Sequence, residues 1–298
     1  MPSSAFVATF VVAPSRPTLS DALLKSAAQV AGATGVRWLD PRVALDVFFE
    51  AESLAPVRGR LEALAREESA DVIVQPVATR EKKLLVADMD STLIGQECID
   101  ELAAAIGIGP RVAGITERAM RGEIEFEGAL RERVGLLAGL PLDVIDEVLR
   151  NRITLNAGAK TLAATMRARG AHVAIVSGGF TPFTSEIARR LGAHEHRANR
   201  LETVGEKLTG RVIEPILGAD AKLEALKDIS ARLGLSREQT MGVGDGANDL
   251  PMLGASGLGI AYRAKPKVAA AAHARVDHAD LTALLYTQGI GREEFAAL

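Results

Sequence analysis

The chain has 298 residues, enough for one large α/β unit or for two domains at about 150 residues each. Hydrophobic residues make up 48% and charged residues 24%, which excludes a disordered or low-complexity chain. Thirty-five basic against thirty-eight acidic residues leave a net charge of −3 and only 4% are aromatic, so neither a field that gathers nucleic acid nor a stacking surface for single strands is expected.

A single cysteine, Cys98, excludes an intramolecular disulfide framework and a zinc site of several thiolates, as suits a reducing cytoplasm. No apolar run approaches the roughly 18 residues of a membrane helix, and the apolar start at 6–12 has no basic residue ahead of it, unlike a secretory signal. The expectation is a soluble, cytoplasmic protein with neither membrane nor nucleic acid as partner.

In chain order, 6–12 reads as a strand, 19–30 as a helix, 36–39 and 43–49 as strands, 57–67 as a second helix and 72–74 as a fourth strand. This βαββαβ order predicts a small antiparallel sheet under two helices, and its pattern resembles the ACT-like regulatory domains. No residue in it demands a ligand, so a ligand-sensing role and a dimerising or stabilising role both stay open. Residues 79–83, Thr-Arg-Glu-Lys-Lys, read as a charged linker, so the expected units are 1–79 and 80–298.

Beyond the linker the periodicity changes. Short, continuous apolar runs at 84–87, 172–176, 240–243 and 258–260 suit parallel strands buried on both faces, and helical stretches at 159–169, 182–191 and 221–233 separate them. This alternation predicts a doubly wound parallel sheet whose ligands sit at the carboxyl ends of the strands. A helical insert at about 95–157 is long enough to cover those ends.

Chemistry-bearing residues gather there. The first strand ends in Asp88-Met89-Asp90-Ser91-Thr92; two carboxylates placed side by side repel each other, which argues for a cation or a reaction that uses them. The second ends in Ser177-Gly178-Gly179, where a hydroxyl and unhindered N–H groups suit an anion but also an ordinary tight turn. Lys222, taken alone, reads as a solvated surface lysine. Asp245, Asn248 and Asp249 follow the third run; their oxygens suit a hard cation such as Mg²⁺, or a helix cap. Of the histidines, only His194 and His196 have a ligand-like spacing, and they read better as one strand face.

The order Asp88 to Thr92, Ser177, Lys222, then Gly244 to Asp249 resembles the four-motif pattern of the haloacid-dehalogenase-like phosphatases. Glu97-Cys98-Ile99-Asp100-Glu101, Met120-Arg121-Gly122, Phe126, Arg133 and Val176 to Phe180 narrow the resemblance to the phosphoserine phosphatase family, over about residues 82–285. The resemblance implies Asp88 as nucleophile forming an aspartyl-phosphate and Asp90 as general acid and base. It implies Mg²⁺ on the Asp88 carboxylate, the Asp90 carbonyl and Asp245. Ser177, Gly178 and Lys222 would cradle phosphate, with Asn248 and Asp249 in support. Glu97 and Arg133 would take the ammonium and carboxylate of O-phospho-L-serine, with Met120 and Phe126 as apolar walls. Cys98 reads as a packing residue, and the N-terminal unit as a candidate homodimer contact. Two alternatives keep a place: a phosphatase or phosphotransferase for another small phosphate ester, and an amino-acid sensor on an inactive scaffold.

Overall fold

The computed structural model describes residues 4–121 and 123–298; the side chains of Ser4 and Met120 also lie outside the described residues. The N-terminal part runs β1 (Ser4–Val11), α1 (Asp21–Ala31), β2 (Gly35–Asp40), β3 (Ala44–Ala51), α2 (Leu54–Glu67) and β4 (Asp71–Pro76). Its four strands pair antiparallel in the order β2-β3-β1-β4. Local chemistry sets the helix ends: the Ser20 hydroxyl accepts the Leu23 N–H at 3.1 Å to start α1, and Gly32, at φ 62°, ends it. Strand alternation sends Ala8, Phe10, Leu45 and Val47 into a core beneath the helices, with Leu23 and Leu61. From the other face, Val11, Ala44 and Ile73 join the core of the larger sheet.

That sheet follows β5 (Leu84–Ala87), whose residues are all buried. The helical insert comes next, as α3 (Cys98–Ala105), α4 (Gly109–Met120), α5 (Phe126–Gly135) and α6 (Asp143–Asn151). α7 (Ala159–Ala168) leads to β6 (His172–Phe180), α8 (Thr181–Leu191), β7 (Glu195–Val204) and β8 (Lys207–Ile213). The chain then crosses back through α9 (Ala219–Arg232), β9 (Thr240–Gly244), α10 (Leu250–Ala255), β10 (Leu258–Tyr262), α11 (Pro266–Ala271) and β11 (Ala274–Val276), ending in the turn α12 (Ala283–Tyr286). Among the described residues these strands form one sheet, ordered β11-β10-β9-β5-β6-β7-β8, parallel except for β8. The doubly wound sheet with a helical insert and a separate small antiparallel sheet is the expected fold class. β5 is the switch point: later strands add first on its β6 side and then on its β9 side, which opens a crevice at the carboxyl ends of β9, β5 and β6.

Two connections join the insert to the sheet, and they are laced together. Ile94 and Leu155 form an antiparallel bridge, Gly95 N–H donates to Thr154 O at 3.1 Å, and Asn156 N–H donates to Leu93 O at 2.9 Å. The hairpin arm β8, which the sequence reading lacks, supports the insert from the side: Gly139 N–H donates to Leu208 O at 2.8 Å, and Leu142 N–H to Glu206 O at 3.0 Å.

Residues 79–83, expected as a charged linker, are only partly solvated: Glu81 is exposed, but Arg80 and Lys82 are buried in a seam between the two sheets. Arg80 is 9% exposed because its charge has partners: Nη1 and Nη2 donate to the buried Asp46 carboxylate at 2.9 and 3.0 Å, and Nε and Nη2 reach the carbonyls of Thr287 and Tyr286. Gln75 also donates to Thr287 O, at 2.6 Å, and Arg37 to Gly289 O, at 2.7 Å. Asp71 accepts the N–H groups of Asp277, His278 and Ala279. The end of the chain is therefore capped by side chains from its beginning.

Candidate active site

Paired positions set the level of the site. Ala87 lies beside Ile175 on β6 and Val243 on β9, so the residues just beyond these pairs, Asp88, Ser177 and Asp245, meet at one rim. Asp88 Oδ1 is 2.7 Å from Lys222 Nζ and accepts the Met89 N–H at 2.8 Å. Lys222, on α9, is 1% exposed, and its ammonium also reaches Asp249 Oδ1 at 2.5 Å. The surface reading of Lys222 taken alone is thus overturned: an ammonium can be buried here because two carboxylates meet it. Asp249 is held in turn by the Gly246 N–H at 2.9 Å.

Asp90 accepts the Cys98 N–H at 3.3 Å and lies 3.5 Å from the Ser177 hydroxyl. Ser177 Oγ accepts the Gly179 N–H at 2.9 Å, leaving its own proton to donate. Glycine at 179 leaves room for the acid, since a Cβ there would stand 2.7 Å from Asp90 Oδ2 and displace it. The Thr92 hydroxyl donates to Asp245 Oδ1 at 3.0 Å.

Burial and mutual repulsion perturb the acids. Burial pushes the Asp88 carboxyl well up, against the pull of Lys222. Burial and the nearby Glu97 charge push Asp90 up to about 7. Burial, with Asp249 and Glu97, pushes Asp245 up to about 6, against the Thr92 hydrogen bond. For Lys222, burial pulls down but the carboxylates of Asp88 and Asp249 outweigh it, so the ammonium is held above its usual range.

The donor set fits a metal ion. Asp88, Asp245 and Asp249 each offer a carboxylate oxygen, and these oxygens lie within 4.8 Å of one another. They are hard ligands, and they carry more negative charge than one lysine offsets.

Over this rim the insert closes a cavity of about 610 Å³. Asp88, Asp90, Ser177, Gly178, Asp245 and Asn248 line its floor, while Glu97, Phe126 and Arg133 line it from the insert. Phe126 lies over the strand end: a Cβ on Gly178 would be 3.4 Å from its Cζ. Arg133 is half-buried, with Nε donating to Ala129 O at 3.3 Å. Every site residue named from sequence with a described side chain, Lys222 through its contact with Asp88, thus meets at one place; the side chain of Met120 lies outside the described residues.

Sequence reasoning missed several neighbours. The Cys98 backbone touches Asp90, Ser91 touches Glu97, and Thr116, Leu130 and Lys265 line the cavity. Lys265 follows the end of β10, and the strand-end rule that found the other motifs would have flagged it.

A family model described as haloacid dehalogenase-like hydrolase matches residues 85–254. Phosphoserine phosphatase SerB2 of Mycobacterium tuberculosis is 44% identical over 246 residues, which cover 82% of this chain and 60% of that protein. The unliganded crystal structure of a probable phosphoserine phosphatase from Vibrio cholerae matches with a TM-score of 0.77 at 31% identity, covering 98% of this chain and 88% of that one. A phosphoserine phosphatase solved as a phospho-aspartyl intermediate analogue matches with a TM-score of 0.64 at 41% identity, covering 69% of this chain and 98% of that one. The chain spans 60%, 62% and 63% of the lengths of three of the curated relatives it matches. Matched by the family model over 85–254, from the first strand of the larger sheet through the insert to α10, and by solved relatives across nearly their whole length, the chain belongs to the haloacid dehalogenase-like hydrolases and, within them, to the phosphoserine phosphatase family.

Proposed function

We propose that the protein is a Mg²⁺-dependent phosphoserine phosphatase that releases L-serine and phosphate from O-phospho-L-serine, the last step of serine biosynthesis. One observation carries this reading: Asp88, paired with Lys222 at 2.7 Å, and Asp90 line a cavity to which the insert brings charge of both signs, Glu125 besides the two groups named from sequence, Glu97 and Arg133. Phosphoserine carries one ammonium and one carboxylate beside its phosphate, which is the charge pattern those two groups complement.

In the proposed reaction a carboxylate oxygen of Asp88 attacks phosphorus, forming an aspartyl-phosphate as the P–O bond to serine breaks. Asp90 gives its proton to the departing seryl oxygen, then takes one from the water that cleaves the aspartyl-phosphate. A carboxyl that titrates near 7 suits both tasks at neutral pH. The Lys222 ammonium, the Ser177 hydroxyl and the Gly178 N–H hold the phosphoryl oxygens, and Asn248 supports them. The carboxylates of Asp88 and Asp245 and the carbonyl of Asp90 would hold Mg²⁺, which when bound would supply the positive charge that lets a phosphate dianion approach a carboxylate. Phe126, and Met120 with it, form apolar walls that exclude water. A solved relative trapped as a phospho-aspartyl analogue supports the covalent step.

We assign the molecule two units, 1–79 and 80–298, and a cytoplasmic location, on the strength of its lone cysteine. Neither nucleic acid nor membrane is a proposed partner; among the described residues no helix is long and apolar enough to cross a membrane. The proposed homodimer contact is the outer edge of β2, where Val36 is 46% exposed. Phosphate release from a panel of small esters, with and without Mg²⁺, tests the activity. Preference for phosphoserine with strict metal dependence is expected. Equal turnover of esters lacking the amino or carboxylate group would reduce the protein to a general small-ester phosphatase, and no turnover at all would favour a sensor.

A further inference from the structure

Ser91 follows Asp90 and has a left-handed backbone at φ 55°, which few residues other than Gly, Asn and Asp adopt. A serine held in that conformation at the rim of a site calls for a use of its hydroxyl. The hydroxyl donates to Glu97 Oε1 at 2.6 Å, while the Ser91 N–H donates to Gln96 O at 3.2 Å. Glu97 is the residue that opens α3, the first helix of the insert, and its carboxylate lines the cavity. Among the described residues Glu97 has no salt-bridge partner, so its contact with Ser91 is to a carboxylate that no cation holds directly.

The same strip is anchored on both sides. Gln96 exchanges hydrogen bonds with Thr154 on the return connection, Nε2 to Oγ1 at 2.8 Å and Thr154 N–H to Oε1 at 3.0 Å. Thr92 holds Asp245. Residues 88–97 are therefore tied at several points, with the reacting carboxylates at one end and Glu97 at the other, and Ser91 joins the ends through its N–H to Gln96 O and its Oγ to Glu97.

We infer that Ser91 is a positioning residue for substrate choice: its hydroxyl holds Glu97 where the ammonium of an amino-acid phosphate ester must sit. This rests on the assignment of Glu97 under the proposed function. Preorganising a charged acceptor lowers the cost of binding, so the effect should fall on recognition of the ammonium and spare the chemical step.

Ser91→Gly in the full chain keeps the left-handed backbone and removes only the donor, so it should fold. KM for phosphoserine should rise roughly tenfold, as expected for a hydrogen bond to a charged group, with kcat changed less than about twofold. Phosphoglycolate, which has no ammonium, should change less than about twofold in kcat/KM. Ser91→Asn, which tolerates the backbone and offers an amide donor, should recover part of the loss. An unchanged KM for phosphoserine in Ser91→Gly, or equal losses for the two esters, would overturn the inference. Glu97→Gln tests the underlying assignment separately: if it affects both esters alike, Glu97 does not read the ammonium and the inference falls with it, whatever Ser91→Gly does.

Discussion

Lys222 is one ammonium among four carboxylates, Asp88, Asp90, Asp245 and Asp249, and that imbalance governs how the site responds to protons and cations. Asp90 and Asp245 are raised to about 7 and about 6, above the value of an unfolded chain, so the fold holds their protons more tightly. Their contribution to stability is present at low pH and is lost as pH rises through about 6 to 7. Metal-free protein should thus lose stability between about pH 5 and pH 8, more than Asp90→Asn does. A divalent cation should restore it more strongly at the higher pH, by about 2–3 kcal/mol at a hundredfold excess over its dissociation constant. Thermal melts with and without Mg²⁺ at both pH values check this, and a Mg²⁺ effect independent of pH would contradict it. Asp88→Asn should lower kcat by about a thousandfold or more while the fold stays intact by circular dichroism, because an amide oxygen is a far poorer nucleophile. The acids were legible in sequence because each lies in the short stretch that follows an apolar run. Lys222 was legible only through its place in the motif order, since nothing in Asp220-Ala221-Lys222 says that α9 turns that side chain inward.

At the level of elements, the proposed function gives the helical insert the choice of what sits on the phosphate. Arg133→Ala should lower kcat/KM for phosphoserine about ten- to a hundredfold, the worth of one charge-assisted bond, and leave phosphoethanolamine, which has no carboxylate, nearly unchanged. Parallel losses for both esters, measured side by side, would mean that Arg133 supports the insert rather than reading the substrate. The buried strands were plain from their unbroken apolar runs. β8 was not: Lys-Leu-Thr-Gly-Arg-Val-Ile buries one residue fully and exposes its charges, the pattern of an edge strand whose partner is a neighbouring hairpin arm. The length of the insert was legible, but the division into α3 to α6 depends on packing against one another and on the β8 tie at 139–142, which no local pattern encodes.

For the whole molecule, the seam between the two sheets is a matter of stability and not of chemistry. Arg80→Ala would leave the Asp46 carboxylate buried without its main partner and uncover the carbonyls of Tyr286 and Thr287. A loss of about 3–5 kcal/mol is expected in urea unfolding, with kcat of the remaining folded protein unchanged. A loss below about 1 kcal/mol would mean that water replaces Arg80 without penalty. The sequence presented 79–83 as a linker because charge in a short run reads as solvated; that Asp46 and the last helical turn would close over it is a long-range fact.

That closure has a consequence during synthesis. Arg80 and Tyr286 are 206 positions apart, so at about 5–20 residues per second the N-terminal sheet leaves the ribosome about 10–40 s before the carbonyls that complete its seam. For that interval the face carrying Val11, Ala44 and Ile73 lacks the last part of the core that buries it, and nascent chains halted before residue 286 should be the ones that chaperones and proteases capture.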